Sequence, residues 1–299
     1  MKPASATDFG GRPGGAPTGV ADPTRTTGGP AGPRPRRRGP RSAASWSRRR
    51  IGLNLLAVVA AIVVWHVAAL AKNNPLVFPT PVESARALME LVQDTDSRGE
   101  VLITLWRVVV GFALGSTLGI AVASLLGSSR VAADALEPVV HFLRSITPVA
   151  WIVPATIWFG VGDASMRFIV IYATVFPVIL NTLTGMAQAA RNKTRMARVF
   201  GAGRLRTYRS VVIPSAVPYV LTGMRLSLGY SFMSVIGAEM VAGSDGIGYL
   251  IYNSRLFFDT PTMFAGILLI GAAGLAFDRV FVLATARIFR RFYCGQVAR

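Results

Sequence analysis

The chain has 299 residues, 52% of them hydrophobic and only 15% charged, yet its formal net charge is +18 at pH 7. That is the profile of a membrane protein, and because the arginines gather at the ends of apolar runs, anionic lipid and topology account for them without a nucleic-acid partner. A single cysteine, Cys294, excludes an intramolecular disulfide, and two histidines, His66 and His141, are too few and too far apart for a metal site.

Residues 1–50 are rich in Gly, Pro, Ser, Thr and Arg and end in RPRRRGPRSAASWSRRR. They hold too little apolar surface to fold and are expected to form a disordered cytosolic tail. Ile51 to Ala71 then has the length of a spanning helix and exceeds a usual signal core, so a retained anchor is predicted although Ala69-Leu70-Ala71 resembles a cleavage site. Val77 to Glu100 carries Glu83, Glu90, Asp94, Asp96 and Glu100 around the amphipathic stretch SARALMELV, and is expected to lie outside.

Five further apolar runs follow, at 104–127, 136–160, 166–190, 214–242 and 261–288, each long enough for a hydrocarbon core of ~30 Å. The fold class expected is therefore an all-α membrane protein with about six transmembrane helices over residues 51–289. Prolines 138, 148, 154, 177 and 218 fall inside these runs and predict kinked helices, which suit a pathway better than a plain anchor. Arg48, Arg49 and Arg50 before the first span, and Arg287, Arg290 and Arg291 after the last, put both termini in the cytoplasm. Residues 290–299 form a basic cytosolic tail.

Gly111, Gly115 and Gly119 recur every fourth residue and offer a flat face for close helix packing, with gating the minor alternative. Between the fourth and fifth spans, residues 191–213 hold Arg191, Lys193, Arg195, Arg198, Arg204, Arg206 and Arg209 and no acid. Ala187 to Phe200 reads as helix, Gly201-Ala202-Gly203 as a sharp redirection, and RLRTYRSVV as a short second helix before Pro214. Phe200, Leu205 and Tyr208 are expected to stand exposed on this elbow and to need a partner. The competing reading is a charged loop that only sets topology.

Polar groups inside apolar spans are expensive and face a protein interior or an aqueous path. Arg144 and Thr147 in the third span, Asn181 in the fourth, and Arg225, Tyr230, Ser234 and Glu239 in the fifth are the translocation-pathway candidates. For an anion Arg225 is the preferred contact, with a structural Arg–carboxylate pair as the alternative. Glu239 suits a gate or structural bond, and Asp278 and Arg279 suit a structural role. GSDGIGYL, residues 243–250, reads as an outer loop able to re-enter between helices, or as an ordinary turn.

The elbow resembles the cytoplasmic "EAA" loop of binding-protein-dependent ABC importer permeases. Ala197, Gly201, Val211, Ile213 and Pro214 stand at its alanine, glycine, isoleucine, leucine and proline positions, while Arg195 and Met196 replace the glutamate and first alanine. The stretches GFALGSTLGI, LRSITPVAWIVPATIWFGVGDASM, FPVILNTLTGM, LTGMRLSLGYSFMSVIGAEMVAGSDGIGYLI and FAGILLIGAAGLAFDR are similar to the nitrate, sulfonate, taurine and bicarbonate branch of that family.

The resemblance implies a type I importer permease fold in the inner membrane, a permease homodimer, and an extracytoplasmic solute-binding protein. It also implies two copies of a separate ATP-binding subunit, with ATP and Mg2+ on that subunit and no cofactor on this chain. In the coupling loop Ala197, Phe200, Gly201, Ala202, Gly203, Leu205, Tyr208, Val211, Ile213 and Pro214 meet the ATPase. This agrees with the chain itself, whose lysines, Lys2, Lys72 and Lys193, are none of them preceded by the glycine a Walker loop requires. A small anion such as a sulfonate, taurine or nitrate is the expected solute, with a pyrimidine-type vitamin precursor or aromatic acid as the alternative. The rival classes are a self-contained secondary transporter and an intramembrane enzyme, and for the enzyme neither HExxH nor Gly-x-Ser-x-Gly is present.

Overall fold

A computed structural model describes residues 43–72, 74, 76–128 and 130–289, and within them no strand occurs. The chain divides into two units, residues 1–55 and 56–299, and of the first only the opening of helix α1 is described. Of the expected tails, residues 1–42 and 290–299, with Cys294, lie outside the described residues. Helix α1 (Ala43–Lys72) starts ahead of the apolar run, so Arg48, Arg49 and Arg50 are helical rather than part of an unstructured tail.

In the second unit the described residues hold the rest of α1 and the helices α2 (Pro81–Gln93), α3 (Thr95–Ser128), α4 (Arg130–Ser145), α5 (Ile152–Phe159), α6 (Asp163–Val199), α7 (Arg204–Thr207), α8 (Ile213–Ala242), α9 (Ile247–Leu256) and α10 (Thr260–Ile288). The amphipathic stretch expected in the first loop is α2. Thr80 accepts from the Glu83 backbone N–H at 3.3 Å and Glu83 accepts from Thr80 N–H at 2.8 Å, a reciprocal cap that frees neither donor. This pairing holds the Glu83 carboxyl below its ordinary value. Ala87 and Leu91 then bury against Ala265 of α10.

Among the described residues five helices are long and apolar enough to cross a membrane, and a sixth crossing exists only if a bent pair counts as one span. The third expected span, residues 136–160, is thus corrected: Asp134–Ser145 and Pro148–Phe159 meet at 87°. The cause is local. Thr147 precedes a proline and is held extended, at φ −67 and ψ 142, so α4 cannot run on, and Pro148 opens a 3-10 turn instead. Pro138, Pro177 and Pro218 lie inside α4, α6 and α8, which continue through them. Trp151, Trp158, Phe159, Phe168 and Tyr172 form a ring cluster that ties α5 and the turn to α6.

The centre of the molecule is the stack α3–α6–α8. A Cβ on Gly111 would come within 2.6 Å of Val170 Cβ, one on Gly115 within 2.7 Å of Thr174 Cβ, and one on Gly119 within 3.0 Å of the Val175 carbonyl. The four-residue glycine repeat is therefore the seam on which α3 meets α6, as expected from its spacing. Gly185 and Gly223 do the same between α6 and α8, against Tyr219 and Asn181. Val108, Val170, Leu228, Phe232 and Val235 fill the interior where the three helices converge.

Candidate functional site

At the junction of α6 and α8 the backbone itself builds the elbow. Gly201 takes φ +75, a conformation that costs an L side chain, and the Ala202 N–H reaches back to the Ala197 carbonyl at 3.0 Å. That bond across a left-handed glycine is the Schellman ending of a helix, and it turns the chain sharply after Phe200. Gly203 accepts from the Thr207 N–H at 2.9 Å and from its hydroxyl at 3.0 Å, which starts α7. A π-helical turn, Tyr208–Val212, joins α7 to α8, whose first turn holds Pro214.

Phe200 is 83% exposed and Leu205 71%, as expected, and Val199 is exposed beside them. Gly201 and Gly203 are open, Ala197, Ala202, Val211 and Pro214 are half-buried, and Ile213 is exposed. Tyr208 corrects the expectation of exposure. Its hydroxyl donates to the Ser124 carbonyl of α3 at 2.6 Å, and its ring packs with Met186, Val212 and Ala216. Tyr208 thus anchors the elbow to the helix stack, while Phe200 and Leu205 project from it. The side chains of Arg191, Lys193, Arg195, Arg198 and Arg204 lie outside the described residues. Arg206 and Arg209 are exposed.

The pathway candidates separate into two groups. Arg144 and Thr147 stand exposed at the bend after α4, and Arg225 and Tyr230 stand on the outer face of α8 with Thr222, Leu226, Gly229 and Met233. Asn181 donates to the Pro177 carbonyl at 2.8 Å and packs against Gly223, so it serves the α6–α8 contact. Ser234 and Glu239 are buried within the protomer and do not line an exposed face. Arg225 meets Asp278 of α10 through two bonds, Nε to Oδ1 at 2.7 Å and Nη2 to Oδ2 at 2.8 Å, the ion pair that stood as the alternative to solute contact.

Glu239 finds its partner in a residue that the sequence reading passed over. Arg107 of α3 is 1% exposed, and its guanidinium reaches Asp163 at 2.7 Å, Glu239 at 2.9 Å and Asp245 at 2.5 Å. Thr104 donates to the Glu239 carboxylate at 2.9 Å and accepts from Ile247 N–H at 2.9 Å, while Gly248 N–H donates to Glu239 at 3.0 Å. Gly246 N–H also meets the Glu100 carboxylate. The loop of residues 243–250 folds onto this cluster because Gly246 (φ +99) and Gly248 leave the room that a side chain would take from the Glu239 carboxylate. Four segments, α3, the start of α6, the end of α8 and the 243–248 loop, are thereby joined at the end of the stack opposite the elbow. The signal in the sequence was an arginine inside the span at 104–127, judged by the same rule that singled out Arg144 and Arg225.

Long apolar helices, a capped elbow with projecting apolar side chains, and a buried charge cluster at the opposite end define a multi-span membrane protein. The profile of the binding-protein-dependent transport system inner membrane component family matches residues 115–290. The nitrate import permease protein of Synechocystis sp. is 30% identical over 75% of this chain and 84% of its own length. A putative aliphatic sulfonates transport permease protein of Bacillus subtilis is 32% identical over 76% and 82% respectively. The crystal structure of a bacterial alginate ABC transporter, in complex with an alginate pentasaccharide-bound periplasmic protein, shares the fold. It has a TM-score of 0.51 at 17% identity, over 82% of this chain and 97% of that one. The chain belongs to this family, the permeases of ABC importers, on the branch of the nitrate, sulfonate and bicarbonate permeases. It is a multi-pass protein of the inner membrane and a transport subunit.

Proposed function

We propose that two copies of the chain form the translocation pathway of an ATP-driven importer for a small anionic solute, handed over by an extracytoplasmic binding protein. ATP, bound with Mg2+, is hydrolysed on two separate ATP-binding subunits, and this chain performs no covalent step. Both termini and the 191–213 segment face the cytoplasm, following the arginine bias.

The observation that carries the reading is the elbow. Phe200 and Leu205, 83% and 71% exposed, project from a turn fixed by the Gly201 cap and anchored by Tyr208, an arrangement that costs apolar exposure unless a partner covers it. An ATP-binding subunit gripping that turn pushes on the ends of α6 and α8 together, and rigid pieces of the permease rock between outward-open and inward-open arrangements. An anionic solute is supported by relatives named for nitrate and sulfonate transport and by Arg225 on the exposed face of α8.

Gentle detergent extraction of the tagged chain, followed by mass spectrometry of what copurifies, tests this. The expected result is an ATP-binding subunit in equal amount with the permease. Recovery of the chain alone, monodisperse and transporting its solute in vesicles without ATP, contradicts it.

A further inference from the structure

Arg225 lies twelve residues into α8 from Ile213, about 18 Å along the axis, and Asp278 lies ten residues before the end of α10 at Ile288, about 15 Å. Against a hydrocarbon core of about 30 Å, the pair stands near mid-membrane. Its side chains are 56% and 29% exposed, so it is not sealed inside the protomer as Arg107 and Glu239 are. An ion pair open to lipid tails at that depth is strongly disfavoured, so on the two-copy reading the pair faces the second copy and the path between the two. Of the exposed residues nearest Arg225 around α8, Thr222 and Gly229 stand one turn below and one turn above it.

We propose that Arg225 and Asp278 form a counter-ion switch in the translocation pathway, resting on the reading of this chain as an anion permease. At rest the Asp278 carboxylate occupies the guanidinium side-on, through Nε and Nη2. An oxyanion solute presents the same pair of oxygens at the same spacing and takes that place, while Asp278 swings into the water of the path. When Asp278 returns, it expels the anion. A bare arginine at this depth holds an anion too tightly to release it, and a site with no arginine offers it nothing, so the competing carboxylate sets the affinity that permits passage. Arg279, next along α10, also acts on the Asp278 carboxylate.

The test is uptake by the complete importer in proteoliposomes, with ATP inside and binding protein outside, using nitrate, bicarbonate and ethanesulfonate as probes and correcting for complex recovered. The wild-type complex reports on the parent reading: uptake of none of the three anions overturns that reading and the switch with it. Given wild-type uptake of one, the switch predicts that Asp278→Asn and Arg225→Gln each lower its rate by about tenfold or more per complex. Wild-type uptake per complex in Asp278→Asn or in Arg225→Gln overturns the switch and leaves the pair a structural tie between helices, with the parent reading intact.

Discussion

Arg107 sets one positive charge against the carboxylates of Asp163, Glu239 and Asp245, with its own side chain and that of Glu239 fully buried. Removing one member of a buried pair strands the other without water or partner, at a cost of about 3 to 5 kcal/mol. Arg107→Met is therefore expected to lower the thermal midpoint of the detergent-solubilised chain sharply, and Arg107→Met with Glu239→Met to lower it less than the single change. Equal midpoints for wild type and Arg107→Met would show that the cluster contributes nothing to stability. A lysine does not substitute, because one ammonium cannot present the fork that meets three carboxylates. Arg107 inside an apolar run marked one member in the sequence, but the cluster itself was not readable, because its members lie far apart in the chain. Tyr208 was misjudged for a related reason: the carbonyl that holds its hydroxyl belongs to Ser124, on another helix.

The helices themselves were largely visible in advance. Length and hydropathy located the spans, and the glycine spacing in α3 identified a packing face because a period of four in a helix puts residues on one side. On that face a Cβ at Gly115 would lie 2.7 Å from Thr174 Cβ and 3.0 Å from the Ile171 carbonyl, a backbone atom that cannot rotate away. Gly115→Val should destabilise the chain by about 1 to 3 kcal/mol through overpacking, seen as a lower thermal midpoint with the helix content unchanged. An unaltered midpoint would mean that α3 and α6 do not pack on this seam. What composition could not decide was which proline breaks its helix. Pro138, Pro177 and Pro218 are carried inside continuous helices, whereas Pro148 follows an extended Thr147 and the chain turns by 87° there. The residue type is the same, and the difference lies in the backbone before it, which is extended at Thr147.

Taken as one body, the stack has an elbow at one end and a charge cluster at the other, linked by α6, whose 37 residues span about 55 Å. The Gly111–Gly119 seam and the Arg107 cluster make α3, α6 and α8 a stiff unit, and Tyr208 fixes the elbow to it. Force applied at Phe200 and Leu205 is thus carried along the whole unit instead of being absorbed by a loose loop. The sequence carried the elbow's outline in its glycines and proline, while the rigidity comes from contacts between distant segments. The most direct test of this coupling is ATP-dependent uptake by the assembled importer carrying Gly201→Asp. A Cβ at Gly201 meets nothing within 4 Å, and aspartate is among the few L residues that visit the left-handed region, at about 1 kcal/mol, so the fold survives while a carboxylate enters the proposed partner surface. The account predicts uptake reduced to background with membrane insertion and chain recovery unchanged. Normal uptake by Gly201→Asp at normal abundance would contradict it.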